Sequence, residues 1–231
     1  MDRNGDPRRL PAYGISETAH YLRIPRATLR SWVLGRYYPT ERGRTFFKPI
    51  ITPPDRDGPL LSFVNLVEAH VLDAIRRVHE IPLPQVRRAI EYLSRHFHSR
   101  HPLAEHTFET SGVDLFIQKY GQLITITQDG QLAIRTLLEA HLRRIEREPS
   151  GFPVRLYPFI RKRRPDEPRA VVIDPYVAFG RPILAGTGIA TAVIAERYKA
   201  GESIDELADD YGRKRLEIEE AIRCELEVEA A

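Results

Sequence analysis

The chain has 231 residues, of which 42% are hydrophobic and 29% are charged, and this composition excludes a wholly disordered protein. A single cysteine excludes an intramolecular disulfide framework. Since no apolar run approaches about 18 residues, we expect no membrane span and a cytoplasmic location. Charge is divided: residues 1–54 hold ten Lys/Arg against four Asp/Glu, a net +6, and residues 169–231 hold eight against thirteen, a net −5. Because DNA attracts basic surfaces and repels acidic ones, we expect the N-terminal end to bind DNA.

The first elements that we predict are a flexible, basic lead-in over residues 1–13 and a helix-turn-helix after it. Pro25 disfavours helical backbone in the residue before it but suits the first turn of a helix, and Gly35 is a typical helix stop. Residues 36–59 are rich in Pro, Gly and Arg, with β-prone segments between them, which indicates a two-stranded wing. The pattern therefore predicts a winged helix-turn-helix.

The middle of the chain predicts helices first and strands afterwards. Amphipathic helices are expected over residues 63–79 and 85–96, with a Pro-containing break between them. Beyond residue 100, apolar residues recur with a period of two, which predicts a strand pair around residues 120–122 and a turn at 129–130. Residues 131–147 are expected to form a helix or a mixture of strand and helix.

The C-terminal segment predicts three short helices, at about residues 191–199, 203–211 and 214–228. Ser203 and Glu206 have the spacing of a capping box at the start of the second helix. Three helices of this length and spacing are typical of a homeodomain-like bundle. The fold class that we predict is therefore mainly α with a small β component.

Three segments of the N-terminal part carry a resemblance: Ile-Ser-Glu-Thr-Ala at 15–19, Thr-Leu-Arg-Ser-Trp at 28–32 and Phe-Val-Asn-Leu-Val-Glu at 63–68. With them, residues 14–95 resemble the DNA-binding head of the MerR family. The resemblance implies that the second helix meets base edges or phosphates and that the wing holds flanking phosphates. The predicted DNA-binding residues are Arg26, Thr28, Arg30, Arg36, Arg42, Arg44 and Lys48. The alternative is a solvated basic face on an ordinary helical domain.

A second set of motifs lies near the C-terminus: Ile-Asp-Pro at 173–175, Gly-Arg-Pro-Ile at 180–183, Gly-Glu-Ser-Ile-Asp-Glu-Leu-Ala at 201–208 and Ile-Glu-Glu-Ala-Ile at 218–222. With them, residues 171–225 resemble the domain-of-unknown-function family numbered 433, although Gly188 stands where that family commonly has arginine. Members of the family are antitoxins of VapBC-like systems. The resemblance therefore implies a VapB-type antitoxin with a partner toxin of the PIN ribonuclease kind.

The resemblance also implies how such a partner is inhibited. PIN toxins bind Mg²⁺ or Mn²⁺ with clustered carboxylates, and an antitoxin often places an arginine among them or displaces the metal. A basic segment precedes the C-terminal unit, and the predicted toxin-binding residues are Arg161, Arg163, Arg164 and Arg181. The alternative is that the acidic C-terminal unit is a dimerisation module with a solvated face.

No sequence motif indicates an enzyme, because a phosphate loop, a nucleophile elbow and an HExxH zinc motif are all missing. We therefore expect neither catalysis nor a cofactor. Four histidines suggest a metal site, but no cysteine or fixed pattern of acidic residues accompanies them, which favours a solvated helix end and loop. They are His96, His98, His101 and His106. Cys224 is expected to be buried or to face a second subunit.

These predictions divide the chain into five segments. They are a lead-in at 1–13, a MerR-like DNA-binding domain at 14–100, a central β-containing segment at 101–160, a basic linker at 161–170 and an antitoxin-type helical domain at 171–231. The predicted function is that of a homodimeric antitoxin that neutralises a PIN-type ribonuclease toxin and represses its own operon by binding operator DNA. One alternative is a MerR-like regulator that responds to a small ligand and has no toxin. Another is a structural interaction protein.

Overall fold

The computed structural model of the chain describes residues 5–40, 43–55, 58, 60–77, 83–123, 128–161 and 166–226. Its helices are α1 (Ile15–Tyr21), α2 (Arg26–Leu34), α3 (Phe63–Arg77), α4 (Leu83–His96), α5 (Val113–Leu123), α6 (Gln128–Leu142), α7 (Thr191–Lys199), α8 (Ile204–Tyr211) and α9 (Arg215–Glu225). Its strands are β1 (Arg36–Thr40), β2 (Gly43–Phe47), β3 (Ile145–Arg147), β4 (Pro153–Leu156), β5 (Val171–Ile173) and β6 (Pro182–Leu184). The strands form an antiparallel hairpin, β1-β2, and an antiparallel sheet of the order β3-β4-β5-β6. The prediction of a mainly α fold with a small β component is confirmed.

The predicted winged helix-turn-helix is confirmed in α1, α2 and the β1-β2 hairpin. α2 ends at Gly35, which has a φ of 75°. A Cβ atom there would lie 2.5 Å from the carbonyl oxygen of Phe47, so glycine is required at the start of the wing. Trp32 is 1% exposed, and its carbonyl oxygen accepts hydrogen bonds from the backbone N–H groups of Ile50 (2.7 Å) and Ile51 (3.0 Å). These contacts join α2 to the segment that follows the wing.

α3 is the central helix of the larger core. Apolar side chains are buried around its circumference, which is typical of a helix enclosed on all sides. Asn65 and Glu68 are buried as well, and the Asn65 amide donates a hydrogen bond to the Glu68 carboxylate (3.0 Å). Since α3 packs against α6 and β4, it joins the helix-turn-helix unit to the middle of the chain.

The strand pair predicted around residues 120–122 is wrong, because this region is helical. A π-helical turn, Phe108–Gly112, leads directly into α5. Val113, Phe116 and Ile117 are buried, and they have the i, i+3, i+4 spacing of one helix face. The period-two pattern misled the prediction because a short apolar run satisfies both periods.

The four-stranded sheet joins the central segment to the C-terminal segment. β3 follows α6 closely, which confirms the helix–strand mixture predicted for residues 131–147, although the turn predicted at 129–130 lies inside α6. β4, from the central segment, pairs with β5, from the C-terminal segment, through Leu156 and Ile173. The predicted basic linker therefore connects two neighbouring strands of one sheet.

Arg144, between α6 and β3, holds this junction together. Its side chain is buried, and the residue is 2% exposed. The guanidinium group donates hydrogen bonds to four backbone carbonyl oxygens, those of Tyr157 (2.8 Å), Pro158 (3.0 Å), Glu167 (2.8 Å) and Pro168 (3.1 Å). Burial lowers the pKa of Arg144 to about 10, which leaves it charged at neutral pH. One cation thus binds the backbone just before the linker and the backbone near the end of the linker.

The described ends of the predicted linker are packed against the fold. The Glu167 carboxylate accepts hydrogen bonds from the backbone N–H groups of Ile160 (3.0 Å) and Arg161 (3.1 Å). The Arg161 guanidinium donates a hydrogen bond of 2.6 Å to the buried carboxylate of Glu220 on α9. Residues 162–165 lie outside the described residues. The described residues of the linker are therefore bound to the rest of the fold.

The three predicted C-terminal helices are confirmed as α7, α8 and α9. The capping box is confirmed too, because Ser203 Oγ accepts a hydrogen bond from the Glu206 backbone N–H (3.2 Å) and the Glu206 carboxylate accepts one from the Ser203 N–H (2.8 Å). Cys224 is buried, and burial raises the pKa of its thiol to about 12. The bundle has a small core of its own, formed by Leu184, Ile194, Leu207, Ile218 and Ile222.

Residues 5–13 are not the flexible lead-in that the sequence predicts. Arg8 forms ion pairs with Asp6 (2.8 Å) and Glu148 (3.0 Å), and its guanidinium carbon lies 4.4 Å from the ring centroid of Phe152. The prediction fails because the arginines that suggest a solvated segment bind acidic and aromatic side chains far along the chain.

The turn of the helix-turn-helix contacts the end of α9. Arg23 lies in the turn between α1 and α2, and its guanidinium donates hydrogen bonds to the carbonyl oxygens of Cys224 (3.1 Å) and Leu226 (2.9 Å). A further hydrogen bond reaches the carbonyl oxygen of Arg223. The last carbonyl groups of a helix lack partners within it, so Arg23 caps the end of α9.

No described helix is long and apolar enough to cross a membrane.

Candidate nucleic-acid interface

The exposed face of α2 carries two basic side chains. Leu29 and Trp32 are buried on the opposite face, and this helical phase leaves Arg26 and Arg30 in solvent. Arg26 is the first residue of α2, and Arg30 lies about one turn later. Neither arginine forms an ion pair with another described residue. Two unpaired cations in the first turns of such a helix suit phosphate oxygens or base edges.

The other predicted DNA-binding residues differ in accessibility. Arg36, Arg44 and Lys48 are exposed on or beside the wing. Thr28 is half-buried, and its backbone carbonyl accepts a hydrogen bond from a neighbouring serine hydroxyl (2.7 Å). Arg42 lies outside the described residues. The structure therefore brings the exposed cations of α2 and the wing onto one winged unit, and their contacts to DNA stay a prediction.

The wing also carries exposed aromatic side chains that the sequence analysis does not assign to DNA. Tyr37 and Phe46 are cross-strand partners, and their ring centroids lie 4.9 Å apart. The Arg44 guanidinium lies 5.5 Å from the Tyr37 centroid. An arginine held against a ring is ordered before it meets a phosphate, which lowers the entropy cost of that contact. The sequence signal that could have predicted this aromatic surface is the presence of paired aromatic residues in both strands of the wing.

α4 supports the wing. The Arg87 guanidinium donates a hydrogen bond to the Lys48 carbonyl oxygen and lies 5.7 Å from the ring centroid of Phe47. Tyr38 packs edge-on against the same ring, with centroids 5.0 Å apart. The base of the hairpin is therefore anchored on a helix.

The predicted toxin-binding residues are not equivalent. Arg161 is ion-paired with Glu220, whereas Arg181 is exposed and forms no ion pair with another described residue. Arg163 and Arg164 lie outside the described residues. Of the two described positions, Arg181 therefore has the guanidinium that is more available to a partner.

Of the four histidines that the sequence analysis singles out, three lie in solvent and one pairs with α3. Among the described residues, no group of three or more His, Cys, Asp or Glu side chains could hold a metal ion. His96, His98 and His106 are exposed, whereas His101 Nδ1 lies 3.0 Å from the Glu68 carboxylate. Burial opposes protonation of His101, but the hydrogen bond and the charge of Glu68 outweigh it and raise the pKa of His101.

We expect the pair of His101 and Glu68 to make folding stability depend on pH. Because the pKa of His101 is raised by folding, its stabilising contribution is fully present below its unfolded pKa of about 6.5 and is lost as the pH rises through the folded pKa. Urea unfolding should show His101→Gln less stable than the wild type near pH 6, with a difference that shrinks toward about pH 9. His98→Gln changes an exposed histidine and is the control. A difference that is constant with pH would contradict the charged pair.

Two parts of the chain match known family models. Residues 11–90 match a model described as "Putative DNA-binding HTH domain". Residues 171–223 match a model described as "Protein of unknown function (DUF433)". The C-terminal resemblance is confirmed, as is a helix-turn-helix at the N-terminal end, whereas its assignment to the MerR type stays a prediction.

Relatives from Mycobacterium tuberculosis extend the similarity over most of the chain. "Putative antitoxin VapB45" is 28% identical over 220 residues, covering 88% of this chain and 89% of the relative. "Uncharacterized protein Rv2308" is 28% identical over 218 residues, covering 91% of this chain and 88% of the relative. The crystal structure of Rv2018 shares the fold, with a TM-score of 0.68 and 24% identity over 93% of this chain and 98% of that one. The chain therefore combines an N-terminal helix-turn-helix domain with a C-terminal DUF433 domain.

Proposed function

We propose that this protein is an antitoxin that binds the operator of its own operon through α2 and the wing and neutralises a PIN-type ribonuclease toxin through its C-terminal domain, acting as a homodimer. The observation that carries the proposal is the pair of exposed arginines on α2, Arg26 and Arg30, which form no ion pair with another described residue, in a chain that also has a DUF433 domain. Its similarity to a protein named as an antitoxin supports the same function.

Charge and shape support DNA binding at the N-terminal end. α2 offers Arg26 and Arg30 from one face, and the wing adds the exposed cations Arg36, Arg44 and Lys48. A recognition helix and a wing with these cations suit a groove and its flanking phosphates. Since each neutralised phosphate releases counterions, affinity for the operator should fall steeply with salt.

The charge of the C-terminal domain supports a protein partner rather than DNA. Residues 169–231 hold eight Lys/Arg against thirteen Asp/Glu, a net −5, which repels phosphates. Several basic side chains of the domain form ion pairs within it. Arg197, for example, pairs with Glu202 and Asp210. An acidic domain whose arginines are partly occupied is poorly suited to DNA. Its role in holding the toxin follows from the antitoxin proposal.

We expect Arg30→Ala to weaken binding to operator DNA. If Arg30 reads a base edge, its loss should cost about 1–3 kcal/mol, roughly a 5- to 150-fold rise in the dissociation constant. The measurement is fluorescence anisotropy with a duplex from the region upstream of the protein's own gene, repeated at several salt concentrations. Arg143→Ala removes the same charge from an exposed position outside the helix-turn-helix and should bind like the wild type. Full affinity of Arg30→Ala would contradict the role of Arg30, and no wild-type binding would contradict the operator function.

A ligand-responsive regulator without a toxin is the second candidate, and an open cleft favours it. The cleft has a volume of about 860 Å³ and is lined by residues that include Arg9, Ser94, Arg100 and His101. These side chains suit a small anion. The neighbouring gene discriminates between the two functions: a small nuclease with clustered carboxylates supports the antitoxin. The regulator is supported if a small anion changes the DNA affinity of the wild type but leaves the DNA affinity of Arg100→Ala unchanged.

A further inference from the structure

The loop between β5 and β6 presents an aromatic side chain almost wholly to solvent. Phe179 is 98% exposed, and Tyr176, in the same loop, is 59% exposed. Arg181 closes the loop with an exposed guanidinium that has no ion pair among the described residues. We refer to residues 176–181 as the β5–β6 loop. An isolated exposed leucine is ordinary on a protein surface, but a phenyl ring displayed beside a tyrosine and an arginine is not.

The backbone of the β5–β6 loop is strained. Ala178, Phe179 and Gly180 have φ values of 48°, 55° and 77°, so three successive residues are in the left-handed region. Residues other than glycine rarely adopt it, and strain of this kind persists where the surrounding structure enforces it and clusters at functional sites. A connection that served only to join β5 to β6 would not require phenylalanine at such a position.

The rest of the fold holds the β5–β6 loop in this conformation. At its start, the Asp174 carboxylate accepts hydrogen bonds from the Tyr176 backbone N–H (2.9 Å) and from the Arg155 guanidinium (2.8 Å). At its end, Gly180 packs so closely on Tyr13 that a Cβ atom there would collide with the phenol oxygen. Phe179 is therefore displayed by a fixed frame rather than by a flexible loop.

We infer that the β5–β6 loop is the docking tip with which the C-terminal domain holds its partner protein, with Phe179 entering an apolar recess and Arg181 pairing with carboxylates at the rim of that recess. Aromatic and arginine side chains dominate the binding energy of protein interfaces. A tip that is already ordered loses little conformational entropy on binding. The inference rests on the proposed function, in which the partner is a nuclease with clustered carboxylates.

Charge complementarity favours such a partner over DNA and over a second copy of this chain. The β5–β6 loop itself carries one cation, Arg181, and no carboxylate, which suits a local group of carboxylates at the rim of a recess. The net charge of −5 over residues 169–231 disfavours the continuous phosphate backbone of DNA. Of two clefts among the described residues, one has the single carboxylate of Glu91 beside Arg88, Arg95 and Lys119, and the other includes Arg9 and Arg100 and no carboxylate. Neither cleft of a second copy would offer Arg181 clustered carboxylates.

The test uses the full chain and, as the probe, the protein encoded by the gene next to its own. Phe179→Asn removes the phenyl ring but keeps a residue that tolerates left-handed backbone. It should weaken the complex by roughly 30-fold or more, as expected for the loss of an interface anchor, without lowering the midpoint of thermal unfolding. Arg181→Ala should weaken the complex as well. Tyr198→Ala removes an exposed aromatic side chain from α7 of the same domain and should leave the affinity unchanged.

Isothermal titration calorimetry gives the partner affinity, and anisotropy gives the DNA affinity of each variant. Equal partner affinity of Phe179→Asn and the wild type would overturn the role of the β5–β6 loop and leave the antitoxin function intact. Failure of the wild type to bind would overturn the partner in the proposed function and this inference with it, whereas operator binding through Arg30 would stand. Loss of DNA affinity, or a changed oligomeric state, in Phe179→Asn would assign the β5–β6 loop to DNA or to a second copy.

Discussion

Replacement of Arg144 by methionine is expected to lower the free energy of unfolding by about 4 kcal/mol, roughly 1 kcal/mol for each of the four buried or partly buried carbonyl groups that lose their donor. Methionine is similar in length but donates no hydrogen bond, so the four acceptors would lose the partner that Arg144 provides. The guanidinium also lies 4.5 Å from the ring centroid of Phe159, and this contact would be lost. Urea unfolding measures the difference.

The neighbouring residue provides a matched control for Arg144. Arg143→Met removes the same charge from an exposed side chain and should change stability by less than about 0.5 kcal/mol. Arg144→Lys should recover less than half of the loss, because one ammonium group cannot reach carbonyls that a planar guanidinium spans. An Arg144→Met variant within about 1 kcal/mol of the wild type would show that these hydrogen bonds do not hold the junction.

We expect Trp32→Ala to cost about 3–5 kcal/mol of stability, the range found when a buried aromatic side chain is removed from a packed core. Trp32 is buried in the larger core, and its carbonyl oxygen binds the backbone that follows the wing. A cavity at this point would loosen α2 against the wing, so operator affinity should fall as well. Thermal unfolding and anisotropy measure the two effects on the same sample.

Leu34→Ala, on the same helix, is the control for Trp32→Ala. Leu34 is exposed, so its truncation should cost less than about 1 kcal/mol. Trp32→Phe keeps an aromatic ring and should lose less stability than Trp32→Ala. A Trp32→Ala variant as stable as Leu34→Ala would place Trp32 outside the core and contradict its role between α2 and the wing.

The two terminal units were predictable because their signals are local. Helix starts and stops such as Pro25, Gly35 and the capping box of Ser203 with Glu206 act within one or two turns. Once the sequence predicts α2, the helical phase of α2 also predicts that the side chain of Arg26 faces solvent. Such residues predict both the elements and the side chains that face solvent, without knowledge of the rest of the fold.

α5 was not predictable from apolar spacing alone. Val113, Leu115 and Ile117 satisfy a period of two, but Phe116 between them completes a helical face. Tertiary packing decides between the two periods. The rings of Phe108 and Phe116 meet edge-on in the helical segment, with centroids 6.4 Å apart.

Contacts between distant segments have no local signal. Arg23 meets Leu226 across 203 residues of sequence, and no periodicity connects the two positions. The exposure of Phe179 has no local signal either, because it depends on left-handed backbone, which a phenylalanine in the sequence does not predict. The exposure of Phe179 is the feature on which the proposed partner site depends, and the sequence pattern does not predict it.

Because β4 pairs with β5, the central and C-terminal segments of the chain share one sheet and cannot be exchanged separately. A cut between these strands would leave each piece with a bare edge, and bare edges recruit other strands and promote aggregation. A new C-terminal domain that is grafted onto the helix-turn-helix unit would therefore have to bring all the strands of its own sheet, the equivalents of β3 to β6. The unit that can be exchanged is set by hydrogen bonding across the sheet and not by the composition of the linker.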